Sequence, residues 1–171
     1  MAQRIHGFEP LLCNVPEILI LGTLPGGESL EHREYYYSNS NRIWQVLSLL
    51  THEFVPLDYD QKKALLARHR IAIWDYYESA VRPGSDDRKI KDGIPNNIVD
   101  FVRNHPTIHI IAINGFGKYK KFGESLAGSV AAVFPDRHIR VLCLPETSGA
   151  NKNHGWGNLH NLASEWSKIF D

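Results

Sequence analysis

The residues able to do chemistry gather in a few short stretches. Gly22-Thr23-Leu24-Pro25-Gly26-Gly27 forms a glycine and proline turn directly after the apolar run Ile18 to Leu21. Such a turn lets main chain approach a ligand with no β-carbon in the way. A polar and aromatic segment follows, with Tyr35, Tyr36, Tyr37, Asn39, Asn41 and Arg42 ahead of an apolar helix that begins near Ile43. A simple connection has no need of three tyrosines and three amide or guanidinium side chains. Asp75, the Asn114-Gly115 pair and the stretch Pro145-Glu146-Thr147-Ser148-Gly149-Ala150-Asn151 complete the set. The types present are aromatic rings, side-chain amides, a carboxylate and a glycine-rich turn.

The elements that must position them follow from apolar patterning. Four runs, Ile18 to Leu21, Ile71 to Trp74, Ile108 to Ile113 and Ile139 to Leu144, have the length and branching of strands buried on both faces. Between them lie helical patterns over Asn41 to Leu50 and Tyr59 to His69. A third is capped by Asn96 or Asn97 and ends at His105-Pro106, and two more span Lys118 to Leu126 and Leu159 to Phe170. Strands alternating with helices imply a parallel sheet covered on both faces. The expected fold is α/β, a three-layer α/β/α domain spanning 1–171 with a central, mostly parallel sheet of about four strands. Every one of these strands runs into a turn or a polar residue: GTLPGG, Asp75, Asn114-Gly115 and PETSGAN. In such sheets ligands bind beyond the carboxyl ends of the strands, so these segments describe one cleft. Taken singly, Asp75 also suits a helix cap, Asn114-Gly115 a turn, and PETSGAN a surface loop.

Composition narrows the class. The chain has 171 residues, 43% of them hydrophobic, enough for one core without staples. Lysine and arginine number 19, as do aspartate and glutamate, so the formal charge is zero and a nucleic-acid role requires a local patch. Cys13 and Cys143 have neither metal-ligand nor CxxC spacing and read as reduced thiols of a cytoplasmic protein. His154 and His160 have no partners at metal-ligand spacing, so no metal and no cofactor are expected. The opening MAQRIHGFEP lacks the apolar core of a signal peptide, and no stretch has the length of a membrane span.

The same stretches resemble the uracil-DNA glycosylase superfamily, most closely its hypoxanthine-DNA glycosylase branch, with a relation to the mismatch-specific uracil glycosylases. GTLPG matches a first motif of glycine, two variable residues and Pro-Gly. YYYSNSNRIW matches a stretch of the form YYAHPxNxFW, and IAIWDYYESAVRPGSDDRKI matches a segment with WD and a later RPGS. INGFGKYKKF follows, and LPETSGAN matches LPSTSPAN or LPNPSG.

The resemblance implies a monofunctional enzyme that excises deaminated bases, hypoxanthine or uracil, from DNA. It implies a base pocket of Gly22, Thr23, Leu24, Pro25, Gly26, Tyr36 and Asn114, with Tyr36 stacking on a flipped base. Tyr35 and Tyr37 are read as packing residues. Leu24 stands where many relatives carry a water-positioning Asp or Asn. The role then passes to Asn41, which aligns with the asparagine of YYAHPxNxFW, and Asp75 is the reserve general base. Asn41 also suits a helix N-cap ahead of Ile43. Ser148, Gly149, Ala150, Asn151 and Lys152 would grip DNA, with Ala150 as a small wedge, and Lys118, Lys120 and Lys121 form a second cluster of charge. The implied partner is DNA containing deaminated bases, with the protein acting as a monomer and no membrane involved. Ser38-Asn39 departs from the family's His-Pro and Ile43 from its Phe. A binder of damaged DNA without turnover, and a nucleoside hydrolase-like enzyme acting on small molecules, therefore stay open beside the glycosylase.

Overall fold

The computed structural model describes residues 3–115 and 119–171. Its centre is a parallel sheet of Ile18–Gly22 (β2), Ile71–Asp75 (β3), Ile110–Asn114 (β6) and Arg140–Leu144 (β7), in the order β3-β2-β6-β7. These are the four strands expected from the apolar runs, shifted by no more than two residues at any end. Gly22 is level with Asp75 and Asn114 with Leu144, so the polar strand ends line one edge.

Alternate residues of the strands serve two cores, as period-two geometry requires. Ile18, Ile20, Ile71, Ile73, Ile110 and Ala112 face helices Ile43–Thr51 (α2), Tyr59–Arg68 (α3) and Leu159–Trp166 (α6). Leu19, Leu21, Ala72 and Ile111 face Ile98–Asn104 (α4) and Lys120–Val133 (α5). The helices start where side chains satisfy orphan amides. Asp58 accepts from Gln61 N at 2.8 Å, Asn97 from Asp100 N at 3.0 Å, and Asn158 from His160 N at 2.9 Å. The expected final helix is divided: α6 ends at Trp166 and a 3-10 turn covers Ser167–Phe170. Lys118, expected to open the helix before it, lies outside the described residues.

A second sheet was not expected. Arg4–His6 (β1), Tyr77–Val81 (β4) and Lys91–Pro95 (β5) pair antiparallel in the order β1-β4-β5. Only Tyr76 separates β3 from β4, with no glycine or proline to mark the break, and β5 is exposed throughout and contains Gly93 and Pro95. Neither strand therefore carries an apolar signal of its own. At the break the chain holds the first turn instead: Tyr76 N donates to Gly22 O at 2.8 Å and Tyr77 N to Thr23 O at 3.1 Å. A short helix, Gly27–His32 (α1), follows that turn.

Candidate active site

A cavity of about 340 Å³ opens at the carboxyl edge of the parallel sheet, within the size range of small-ligand sites. One wall is Gly22, Thr23, Leu24, Pro25 and Gly26, and Tyr36, Asn41, Asp75, Asn114 and Ser148 share the lining. Gly22 has to be glycine. A β-carbon there would collide with the Asp75 carboxyl and sit 3.0 Å from the Tyr36 hydroxyl.

The wall is held from behind by Arg82, which is only 3% exposed. Its guanidinium donates to Leu24 O at 3.2 Å, to Pro25 O, to Gly84 O at 3.1 Å and to Asp87 Oδ1 at 2.8 Å. Ser85 adds a hydroxyl that accepts from Gly27 N at 3.0 Å. The RPGS sequence is therefore the clamp on GTLPGG. The sequence alone assigns Arg82 no role. Its signal was an arginine beside a Pro-Gly turn, and nothing local shows that it reaches back 57 residues.

Tyr36 has φ of 52°, a conformation uncommon for an aromatic residue and held only when its surroundings dictate it. Trp44 Nε1 donates to the Tyr36 carbonyl at 3.0 Å, and Asn114 Nδ2 to the Tyr36 hydroxyl at 3.2 Å. Burial holds the phenol well above its ordinary pKa, so it stays neutral. Tyr35 is buried, its hydroxyl donating to Glu9 O at 3.0 Å, and Tyr37 stacks on His32 with ring centroids 3.7 Å apart. Tyr35 also borders the cavity.

Asn41 and Asn114 are joined through Thr147, which is fully buried. Thr147 Oγ1 donates to Asn41 Oδ1 at 2.8 Å and accepts from Asn114 Nδ2 at 2.9 Å, while Thr147 N donates to Asn114 Oδ1 at 2.9 Å. Ile43 N donates to Asn41 Oδ1 at 3.0 Å. A main-chain N–H can only donate, which fixes the orientation of both amides. The N-cap of α2 is Arg42, one residue after the Asn41 expected there, and Asn41 serves the helix from just outside it. The carbonyl receives the first helical N–H and the Thr147 hydroxyl, and the residue borders the cavity.

Asp75 ends β3 and is 4% exposed. Its Oδ2 has no hydrogen-bond partner. Burial pushes its carboxyl up to about 7; Asp87 adds to the rise and Arg82 opposes it.

With this geometry in view, a family model described as the uracil DNA glycosylase superfamily matches residues 10–169. The chain belongs to the uracil DNA glycosylase superfamily. Among its relatives, a hypoxanthine DNA glycosylase of Methanosarcina barkeri is 30% identical over 169 residues, covering 98% of this chain and 99% of that protein. One of Methanosarcina acetivorans is 30% identical over 166 residues, covering 96% and 97%. The solution NMR structure of a uracil DNA glycosylase candidate from Methanosarcina acetivorans superposes with a TM-score of 0.74 at 26% identity, over 99% of this chain and all of that one. Within the superfamily the chain lies close to the hypoxanthine DNA glycosylase branch.

The 144–151 loop borders the cavity through Glu146 and Ser148. Arg42 pins it, donating to Ser148 O at 3.1 Å, Asn151 O at 3.0 Å and Trp156 O, while Arg42 N donates to Thr147 O at 2.9 Å. Gly149 lies so close to Ser40 that any β-carbon would strike the Ser40 carbonyl. Ser148 Oγ accepts from Ala150 N at 3.3 Å, and Asn151 Nδ2 donates to Glu146 O at 3.0 Å, so both side chains shape the loop. Ala150 and Lys152 are exposed, as are Lys120 and Lys121. No group of three side chains able to hold a metal occurs among the described residues, and no helix among them is long and apolar enough to cross a membrane.

Proposed function

We propose that the protein is a monofunctional DNA glycosylase that hydrolyses the N-glycosidic bond of a deaminated nucleotide, hypoxanthine or uracil, turned out of the helix into the cavity. The observation that carries this reading is the Asn41 amide, fixed through its carbonyl at the edge of the cavity that Tyr36 also lines. The names of the Methanosarcina relatives support hypoxanthine as a substrate. Extrusion costs a few kcal/mol, recovered by stacking on Tyr36 and by hydrogen bonds to the base edge. Bond cleavage develops an oxocarbenium-like sugar, and donors aimed at the base or at the attacking water lower the barrier. Asn41 donates hydrogen bonds and takes no proton, so positioning dominates the catalysis. The reaction uses no cofactor. Ser148, Gly149, Ala150, Asn151 and Lys152 face the DNA backbone, and a monomer carries every residue the reaction uses.

Single-turnover excision at low salt tests the reading, on oligonucleotides bearing hypoxanthine or uracil, single-stranded and opposite each base. Cleavage of either substrate is expected. Asn41→Ala removes the amide donors together with the carbonyl that serves Ile43 N and Thr147, so excision should fall by roughly 10²-fold or more, as when one donor to a developing charge is lost. An unchanged rate in that variant removes Asn41 from the mechanism. Ser38-Asn39 in place of His-Pro favours a second reading, a binder of damaged DNA without turnover. Salt-sensitive binding with no excision by the wild type would establish it.

A further inference from the structure

The described lining of the cavity is rich in carboxyl groups. Glu28, Asp75, Asp87 and Glu146 line it, and Arg82 is the only lysine, arginine or histidine among its described lining residues. That guanidinium is already committed to three carbonyls and to Asp87. An expelled base carrying negative charge would need a cation that no described lining residue has to spare. A base that leaves neutral would not.

We infer that Asp75 is the general acid of this site, delivering its proton to a ring nitrogen of a departing purine so that the base leaves neutral. This rests on the glycosylase reading above. In the step, the C1′–N9 bond breaks and its electron pair passes to the purine, while the Asp75 proton moves to N7 or N3. Water then forms a bond to C1′ of the oxocarbenium ion and releases a proton that restores the Asp75 carboxyl. The products are free hypoxanthine and an abasic sugar.

Three features of Asp75 support the role. It ends β3 against Gly22, where the carboxyl borders the cavity and no β-carbon intervenes. Its Oδ2 is buried with no hydrogen-bond partner, so no hydrogen bond to that oxygen compensates the charged form. The groups facing it are the Asp87 carboxylate, the Arg82 guanidinium and the Tyr35 and Tyr36 phenols. Of these only Arg82 favours ionisation, and burial outweighs it, leaving the carboxyl protonated up to about pH 7. A general base in the same place would need the opposite protonation state, so the two roles separate by the sign of their pH dependence.

The test is single-turnover excision between pH 5.5 and 9 on duplexes carrying hypoxanthine, or a 7-methylated purine whose ring is already cationic and needs no proton. The wild-type rate on hypoxanthine should fall about tenfold per pH unit above about 7, and Asp75→Asn should lose roughly 10²–10⁴-fold, the range for general acid catalysis. On the 7-methylated purine both effects should vanish. A hypoxanthine rate that rises with pH overturns the inference, and so does an Asp75→Asn variant that loses both substrates equally or neither. A folded wild type that excises nothing overturns the glycosylase reading itself and this inference with it. Excision by a wild type indifferent to Asp75→Asn overturns this inference alone.

Discussion

Thr147→Val isolates the contribution of the hydroxyl that joins the two amides. Valine reproduces the shape of threonine and deletes only the group bonded to Asn41 Oδ1 at 2.8 Å and to Asn114 Nδ2 at 2.9 Å. Neither amide is orphaned, because Asn41 keeps Ile43 N and Asn114 keeps the Tyr36 hydroxyl. The expected loss is therefore two net hydrogen bonds, roughly 1–3 kcal/mol of stability, without the larger penalty of a buried unpaired group. The effect on excision has a different origin. Asn41 is then held at one point in place of two, and a displacement of about 1 Å at a positioning group lowers a rate by about 10²-fold. Urea unfolding reads the first effect and single-turnover excision the second. A double-mutant cycle with Asn41→Ala separates them: once Asn41 is absent, removing the Thr147 hydroxyl should still destabilise the fold but add little to the catalytic defect. Full excision by Thr147→Val, or independent catalytic losses in the cycle, would show that the network does not position Asn41.

Tyr36→Ala should weaken retention of the damaged nucleotide by about 1–3 kcal/mol, the range for stacking on an aromatic ring; undiminished binding to damaged DNA removes Tyr36 from the pocket. Arg82→Met strips Leu24 O and Pro25 O of their donor and should destabilise by on the order of 2–4 kcal/mol, with excision lost in the protein that still folds; wild-type melting and activity would refute the clamp. Asp75 also links stability to pH. A carboxyl raised from 3.8 to about 7 on folding binds its proton more tightly in the native state, so the contribution of Asp75 to stability is fully present below about pH 4 and declines between about pH 4 and 7. At about 1.4 kcal/mol for each pH unit the decline is on the order of 4 kcal/mol. Asp75→Asn should abolish that slope in urea titrations and leave the variant the more stable protein at pH 8. Parallel pH profiles for the two would refute it.

Much of this protein was legible in its sequence for local reasons. A parallel strand buried on both faces must be a continuous apolar run, and the runs at 18, 71, 108 and 139 read as such without reference to one another. Polar residues at their carboxyl ends converge in any parallel sheet, so the cleft followed from topology, and Asn97 announced its helix through its own cap. What stayed hidden depends on residues far apart in the chain. The β1-β4-β5 sheet consists of short, half-polar or exposed strands whose stability lies in their pairing and not in their own patterning. Arg82 has no visible task until GTLPG folds onto it, and Thr147 is an ordinary loop threonine until Asn41, 106 residues away, arrives to accept its hydroxyl. The apolar pattern alone determined the layers and the edge on which the site lies. Which way each amide is turned, and how far the Asp75 carboxyl departs from ordinary acidity, were decided by tertiary contacts alone, because hydrogen-bond direction and desolvation depend on neighbours that only folding supplies.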